Sequence, residues 1–495
     1  MSATTQYIIV IVAYFIAMLG IGFLFNNKVT SDKDYFIAKD KLNAPAIGFS
    51  FSATQMSGST YMGTVGSIRT LGYAFIPAAI SSAAAPWFCY VLVGDRIRKV
   101  SARLKSVTMA DIFEARFGKV AGLLATIIMM VASVPTIAAQ LKAAGNSFEV
   151  LLGIPYIAAL FIFGGIVILY TILGGMFAVA WTDLIQGILM ICGFVILLPV
   201  VLTNCGGFTA MHEAYAQFNP AGISISGSQP MMWVISGFLV WGFFQVGGQP
   251  AATTRFLTTS NEKTLKSALV YSILFESFIF LALAVISIGA GVLLPVVENS
   301  DMALPMLIQG YLPPIVGGIV LAAALGAMMS TIDSVLLMVS SLFVNNIYEK
   351  YIKKGENAKS GLNAGRITTI VVGVLGLLVA INPPDAVLWI ITTGFSLMAA
   401  AFTFPLLLGL WWPRTTKAGG LAGIVTGSIA CLAWYIAGYV LYGSLSKWIG
   451  GIWPAIFGSV ISLVVTVVVS LATKPDSKEV LDVFFDDTEV EGEPA

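Results

Sequence analysis

Phe51-Ser52-Ala53-Thr54-Gln55-Met56-Ser57-Gly58-Ser59 stands inside one long apolar stretch, and Met328-Met329-Ser330-Thr331-Ile332-Asp333-Ser334 stands inside another. Twelve or more such stretches fill the chain. Hydroxyls, an amide and a carboxylate are costly at membrane depth, so they normally line a cavity or bind something. The two runs therefore point to an integral membrane protein that handles a polar solute or an ion. Composition agrees: 58% of the 495 residues are hydrophobic and only 10% are charged, where a soluble chain carries about a quarter charged residues.

Several function classes drop out early. A net charge of +1 and the absence of a basic tract argue against a nucleic-acid surface. Cys89, Cys192, Cys205 and Cys431 are scattered, so neither a disulfide framework nor a zinc cluster follows. The single histidine, His212, falls in a loop, and no nucleophile–histidine pair or metal-ligand cluster sits within the spans. An enzyme is not expected. The first apolar segment begins near Thr5 with no basic residue before it, which fits a retained span better than a cleaved signal peptide.

Thirteen spans are expected, with approximate limits 5–26, 45–70, 73–95, 118–148, 155–173, 176–203, 230–254, 265–294, 314–348, 360–381, 385–411, 418–443 and 449–473. With the N-terminus outside, all of the 26 basic residues except Arg69, Lys142 and Lys447 fall on the inner side. The positive-inside rule then sets the N-terminus out and the C-terminus in, in a cytoplasmic membrane. The dense cluster Arg96, Arg98, Lys99, Arg103, Lys105, Arg116 and Lys119 reads as a topology anchor. Loops 204–229 and 295–313 would lie outside as short caps or interfacial helices. The acidic end from Asp476 reads as a disordered inner tail.

Spans two to six and seven to eleven can be laid out as two five-helix halves of opposite topology, because five is odd. Each half opens with a polar, glycine-containing break: Ser52 to Ser59 in one, Val246-Gly247-Gly248-Gln249-Pro250 in the other. Paired breaks at corresponding positions point to a midplane binding site. The expected organisation is 1–44 extra helix and inner loop, 45–203 first repeat, 204–229 outer loop, 230–411 inverted second repeat, 412–473 two further helices, and 474–495 disordered tail.

An unwound stretch frees backbone carbonyls that can replace the hydration shell of a small cation. Ser330 and Thr331 set two hydroxyls side by side, with Ala327 one turn before. The competing explanation is that they bond back to the preceding turn or join helices. Asp183 and Asp333 are intramembrane carboxylates. Ser330, Asp333 and Ser334 share one helical face by their i, i+3, i+4 spacing, and if that face meets Asp183 the group can bind a second cation or share a proton. Both acids can equally be structural, hydrogen-bonded to helix ends. Glu276 is a third buried acid, without a polar neighbourhood in the sequence.

With these residues in view, the chain resembles the sodium/solute symporter family, in its pantothenate/proline branch. The motifs that carry the resemblance are Asp34-Tyr35-Phe36, Ser52 to Gly58, Tyr170-Thr171-Ile172-Leu173-Gly174-Gly175 leading to Trp181-Thr182-Asp183, Gly248-Gln249-Pro250 with Arg255-Phe256, and Met329-Ser330-Thr331. They occur in order between about Tyr7 and Thr473. The resemblance implies an all-α membrane protein of about 13 transmembrane helices with the LeuT-type inverted five-helix repeat. It implies a sodium site from the carbonyls of Ala53, Met56 and Ala327 and the hydroxyls of Ser330 and Thr331. A second cation site, present in some members, would use Asp183, Ser330, Asp333 and Ser334. Asp333 departs from the pattern, since those members carry a hydroxyl there.

The solute pocket should face the broken helices, which nominates Gln55, Ser57, Thr60, Thr136, Gln140, Trp241, Gln245 and Gln249. Gln55 replaces the acid of proline carriers, and Asn382-Pro383-Pro384-Asp385 to Trp411 looks like the pantothenate branch. Trp241 and Phe244 can instead be packing aromatics. The expected function is sodium-coupled import of a small polar solute by alternating access, with sodium as coupling ion and no cofactor. Proton coupling and a transporter-like sensor are the alternatives.

Overall fold

A computed structural model describes residues 1–26, 36, 42–352 and 358–486 of the chain. Among these residues the structure is helical throughout, with no strand. Ten helices are long and apolar enough to cross a membrane: α1 (Ala3–Asn26), α4 (Lys119–Leu152), α5 (Tyr156–Leu173), α6 (Ala178–Asn204), α8 (Glu262–Leu293), α9 (Pro314–Ile352), α10 (Ala358–Ile381), α11 (Val387–Trp411), α12 (Lys417–Tyr442) and α13 (Pro454–Ala472). An eleventh span, α3, is a pair, Ile76–Ser82 and Ala85–Leu104, bent by 48°. The two remaining expected spans are present as broken helices. α2 runs from Ala44–Gln55 to Thr64–Leu71, and α7 runs from Met231–Trp241 through short turns to Arg255–Thr258.

Local chemistry sets these breaks. α2 starts where the Asn43 side chain accepts from the Ala46 amide at 3.0 Å, a standard N-cap. It stops at Met56, whose ψ of 119° is extended, and resumes at Ser59. In α7, Gln249 precedes Pro250 and is held out of the helical region at φ −124°, ψ 59°. Gly247 and Gly248 are needed there because neighbouring helix α11 approaches so closely. A Cβ on Gly247 would lie 2.4 Å from the Thr403 amide, and one on Gly248 would lie 2.5 Å from the Phe395 ring. The second polar run behaves differently from the first. Residues 328–334 continue an unbroken α-helix from Pro314 to Phe343, so that run interrupts the composition and leaves the backbone intact.

Two of the three basic residues that fall outside the expected inner side have specific partners. Arg69 donates to the carbonyls of Leu294 and Pro295 at 2.6–3.0 Å. Lys142 pairs with Asp301 at 3.0 Å and donates to the Asp385 carbonyl at 2.7 Å. Loop 204–229 contains a helix, Phe208–Phe218, and loop 295–313 contains Ala303–Tyr311.

The expectation of a disordered tail from residue 474 needs correction. Lys478–Phe485 forms a helix, α14, with Phe484 buried. Asp476 pairs with the buried Arg116 at 2.7 Å, and Arg103 donates to the Val483 and Asp486 carbonyls. Part of the basic cluster thus fastens the chain end, a role that charge counting alone does not reveal. Residues 487–495, and the Asp34 and Tyr35 of one motif, lie outside the described residues. Replacing Arg116 with Ala leaves Asp476 and the Gly409 and Thr415 carbonyls without their buried partner. The expected cost is about 3 kcal/mol, read as a lower melting temperature of the purified protein. An unchanged melt would mean the pair is dispensable.

Candidate functional site

The break in α2 and the middle of α9 meet at the centre of the molecule. Ser330 Oγ donates to the Ala53 carbonyl at 2.9 Å or to Ala327 at 3.1 Å. Thr331 Oγ1 lies 2.9 Å from the Met56 carbonyl, 3.2 Å from Thr54 and 3.0 Å from Ala327. All five expected oxygens therefore converge, with the Thr54 carbonyl beside them. A hydroxyl proton can satisfy only one carbonyl at a time, so the cluster holds more acceptors than donors. Such a set suits a hard cation.

Beside this cluster lies a narrow cavity, partly open to solvent, lined by Gln55, Ser59, Thr60, Thr64, Trp241 and Gln245, with Phe75, Phe280 and Leu388 among its apolar walls. Four of the nominated solute residues, Gln55, Thr60, Trp241 and Gln245, face it. The other four do not. Gln140 Oε1 accepts from the Gly58 amide at 2.5 Å, which satisfies the unwound backbone. The Ser57 hydroxyl pairs with Ser59 at 2.7 Å. Gln249 forms the bend in α7, and Thr136 packs on α4 against the approach of Gly394. Ser59 and Thr64 were missed: they follow the break in α2, and their spacing from Gln55 across it does not reveal that they face the same cavity. On three of the lining residues, buried Gln55 Nε2, Gln245 Oε1 and Trp241 Nε1 have no hydrogen-bond partner, so two donors and an acceptor are left unsatisfied beside the cavity. No charged side chain lines it.

Beneath the cavity, sequence reading missed the main partner of Asp183. Arg255, fully buried, places Nη2 3.2 Å from Asp183 Oδ2 and 2.6 Å from the Ser334 hydroxyl, and Nε 3.0 Å from Ser50 Oγ. Ser50 in turn donates to Asp183 at 2.6 Å. The four residues expected for a second cation site are thus divided. Ser330 belongs to the carbonyl cluster, Asp183 and Ser334 are bridged by the guanidinium, and neither oxygen of Asp333 makes a hydrogen bond of normal geometry. The Tyr170 hydroxyl and the Ser334 amide are its nearest donors. Arg255 was counted as an inner-side charge, but its side chain reaches back into the protein. A second, narrow cavity, partly open to solvent, is lined by Arg255 together with Thr108, Ala251, Thr254, Ser334 and Ser341.

Comparison with known proteins decides the identity. The family model of the sodium:solute symporter family matches residues 35–427. The chain belongs to that family. The symporter is 28% identical over 485 residues to the osmoregulated proline transporter OpuE of Bacillus subtilis, covering 96% of each chain. It is also 28% identical to a sodium/proline symporter of Staphylococcus aureus, covering 95% of this chain and 94% of that one. Among solved structures, a Na+-coupled sialic acid symporter superposes with a TM-score of 0.80 at 23% identity, over 96% of this chain and 99% of that one. Mhp1, a nucleobase-cation-symport-1 family transporter, superposes with a TM-score of 0.56 at 12% identity, over 91% and 97%. The architecture is the LeuT-type fold, and the symporter is a multi-pass membrane protein that couples sodium to a small solute. It is a transporter and not an enzyme, and its coupling ion is Na+.

Asp183→Asn leaves the Arg255 cation buried beside a neutral amide, at an expected cost of about 3–5 kcal/mol. Adding Arg255→Gln should recover much of that loss. Melting temperatures of the two single variants and the double variant test the coupling; strictly additive losses would mean the pair is energetically silent.

Proposed function

We propose that the symporter binds sodium with the carbonyls of Ala53, Met56 and Ala327 and the hydroxyls of Ser330 and Thr331. The observation that carries this is the convergence of those oxygens from a broken and an unbroken helix. The ion ties α2 to α9. It favours the arrangement in which the cavity is formed, and any transport coupling equals its differential affinity for that arrangement.

The solute occupies the cavity beside Gln55, Thr60, Trp241 and Gln245. Its mixed polar and apolar lining suits a small polar solute such as an amino acid, a short monocarboxylate or pantothenate. With no charged residue in the lining, a substrate carboxylate would rest on amide and indole donors and on the N-terminal end of the second half of α2. The relatives named for proline favour an amino acid, while Gln55 favours the wider class. Ser57, Gln140 and Gln249 shape the breaks around this pocket, and Thr136 packs between α4 and α11.

Residues 45–203 and 230–411 act as the two inverted halves, with the N-terminus outside and the C-terminus inside the cytoplasmic membrane. The set Asp183, Ser330, Asp333 and Ser334 admits a second cation only if that ion shares Asp183 with Arg255. The geometry therefore favours one sodium ion per solute.

Purified protein in liposomes, tested with pantothenate, proline, short monocarboxylates and sialic acid, is expected to accumulate one of them only under an inward sodium gradient. Accumulation without sodium would overturn the reading. In the same assay, Ser330→Ala with Thr331→Ala should raise the half-activating sodium concentration about tenfold or more, equivalent to about 1.4 kcal/mol. Unaltered activation would make these hydroxyls packing groups.

A further inference from the structure

Glu276 lies midway along α8, fully buried, and neither of its carboxyl oxygens has a hydrogen-bond partner. The polar group facing it is the Ser52 hydroxyl of α2, which interacts with the acid outside normal hydrogen-bond geometry and has no other partner. Close by, Ser272 donates to the Gly48 carbonyl at 3.0 Å and meets the Tyr90 hydroxyl at 3.3 Å. A carboxylate with no partner at this depth would cost several kcal/mol. A carboxylic acid carries its own donor and can give it to Ser52.

No cation answers this acid. The inner half of α2, Ala44–Gln55, has no titratable side chain, and α3 contributes Cys89 and Tyr90. Arg255 of α7 is near Tyr90 but is engaged with Asp183 of α6 and with Ser334. Arg69 is bound at the far end of α2 to the carbonyls of Leu294 and Pro295, and Tyr215 donates to the Ile68 and Arg69 carbonyls.

The position connects the acid to the transport machinery. The Ser52 carbonyl accepts from the Met56 amide at 2.8 Å, the last bond before α2 unwinds. Ala53, the next residue, accepts from Ser330. One turn beyond Glu276, Phe280 lines the solute cavity. A movement that separates α2 from α8 would therefore wet Glu276 and disturb the sodium cluster together.

We propose that Glu276 is a proton-binding site of the transport cycle, protonated while packed against Ser52 and deprotonated when α2 and α8 part. In the second step the carboxyl O–H bond breaks, the proton passes to water as hydronium, and the electron pair stays on the carboxylate. Sodium binding to the packed arrangement is then linked to proton occupancy. This rests on sodium binding at the α2–α9 cluster.

The test uses the full chain in lipid nanodiscs, with sodium alone as the probe and intrinsic tryptophan fluorescence as the readout. Half-saturating sodium is measured from acidic to alkaline pH. The wild-type protein should bind sodium more weakly as pH rises, by at most about tenfold per pH unit for one linked proton. Glu276→Gln, which keeps the neutral shape, should bind as the wild type does at acidic pH and show no slope. Ser52→Ala should shift the midpoint of the wild-type transition. A flat wild-type profile, a wild-type slope in Glu276→Gln, or an unmoved midpoint in Ser52→Ala would each overturn the proposal while leaving sodium binding intact. No sodium response at any pH would sink both.

Discussion

A helix broken within hydrocarbon must find partners for every backbone group that it frees, and the rest of this structure depends on how α2 does so. The carbonyls of Ala53, Thr54 and Met56 turn to the hydroxyls of α9. The Gly58 amide turns to Gln140 of α4. Water supplies these bonds in a soluble protein; here only other helices can. The break is therefore affordable only in this assembly, and it leaves an oxygen-rich cluster and a polar cavity side by side.

The same constraint explains why charge is concentrated beneath the cluster. Asp183 and Arg255 are both removed from water, and removing either would leave an uncompensated charge. Ser50 bonds Asp183 Oδ2 and Ser334 bonds the guanidinium, and Thr54 connects the pair to the break at 3.0 Å from Ser334. Arg255 lines the second cavity, while neither member of the pair lines the first.

Glu276 and Asp333 show a different use of burial. Each is enclosed on a helix packed against α2 or α6, and neither makes a hydrogen bond of normal geometry. A transporter that alternates between two arrangements need not satisfy every polar group equally in both. Groups poorly satisfied in one arrangement are where a second ligand, or a proton, can bias the equilibrium.

The membrane class, most of the spans and both helix breaks were legible in the residue pattern alone, whereas the five oxygens came only with the resemblance to the symporter family. Spans and breaks are local: apolar length fixes a span, and glycine, proline and polar residues mark where helix propensity fails. Ser330 and Thr331 were legible because polar groups in an apolar stretch need a reason. Only tertiary structure decided that Arg255 answers Asp183, 72 residues away, that Gln140 braces a break instead of lining the cavity, and that the segment after Asp476 folds onto Arg116. Long side chains reach across helices, and their direction depends on packing angles that no spacing rule encodes. Glu276 belongs with these. Its polar neighbour is on another helix, and only packing brings the two face to face.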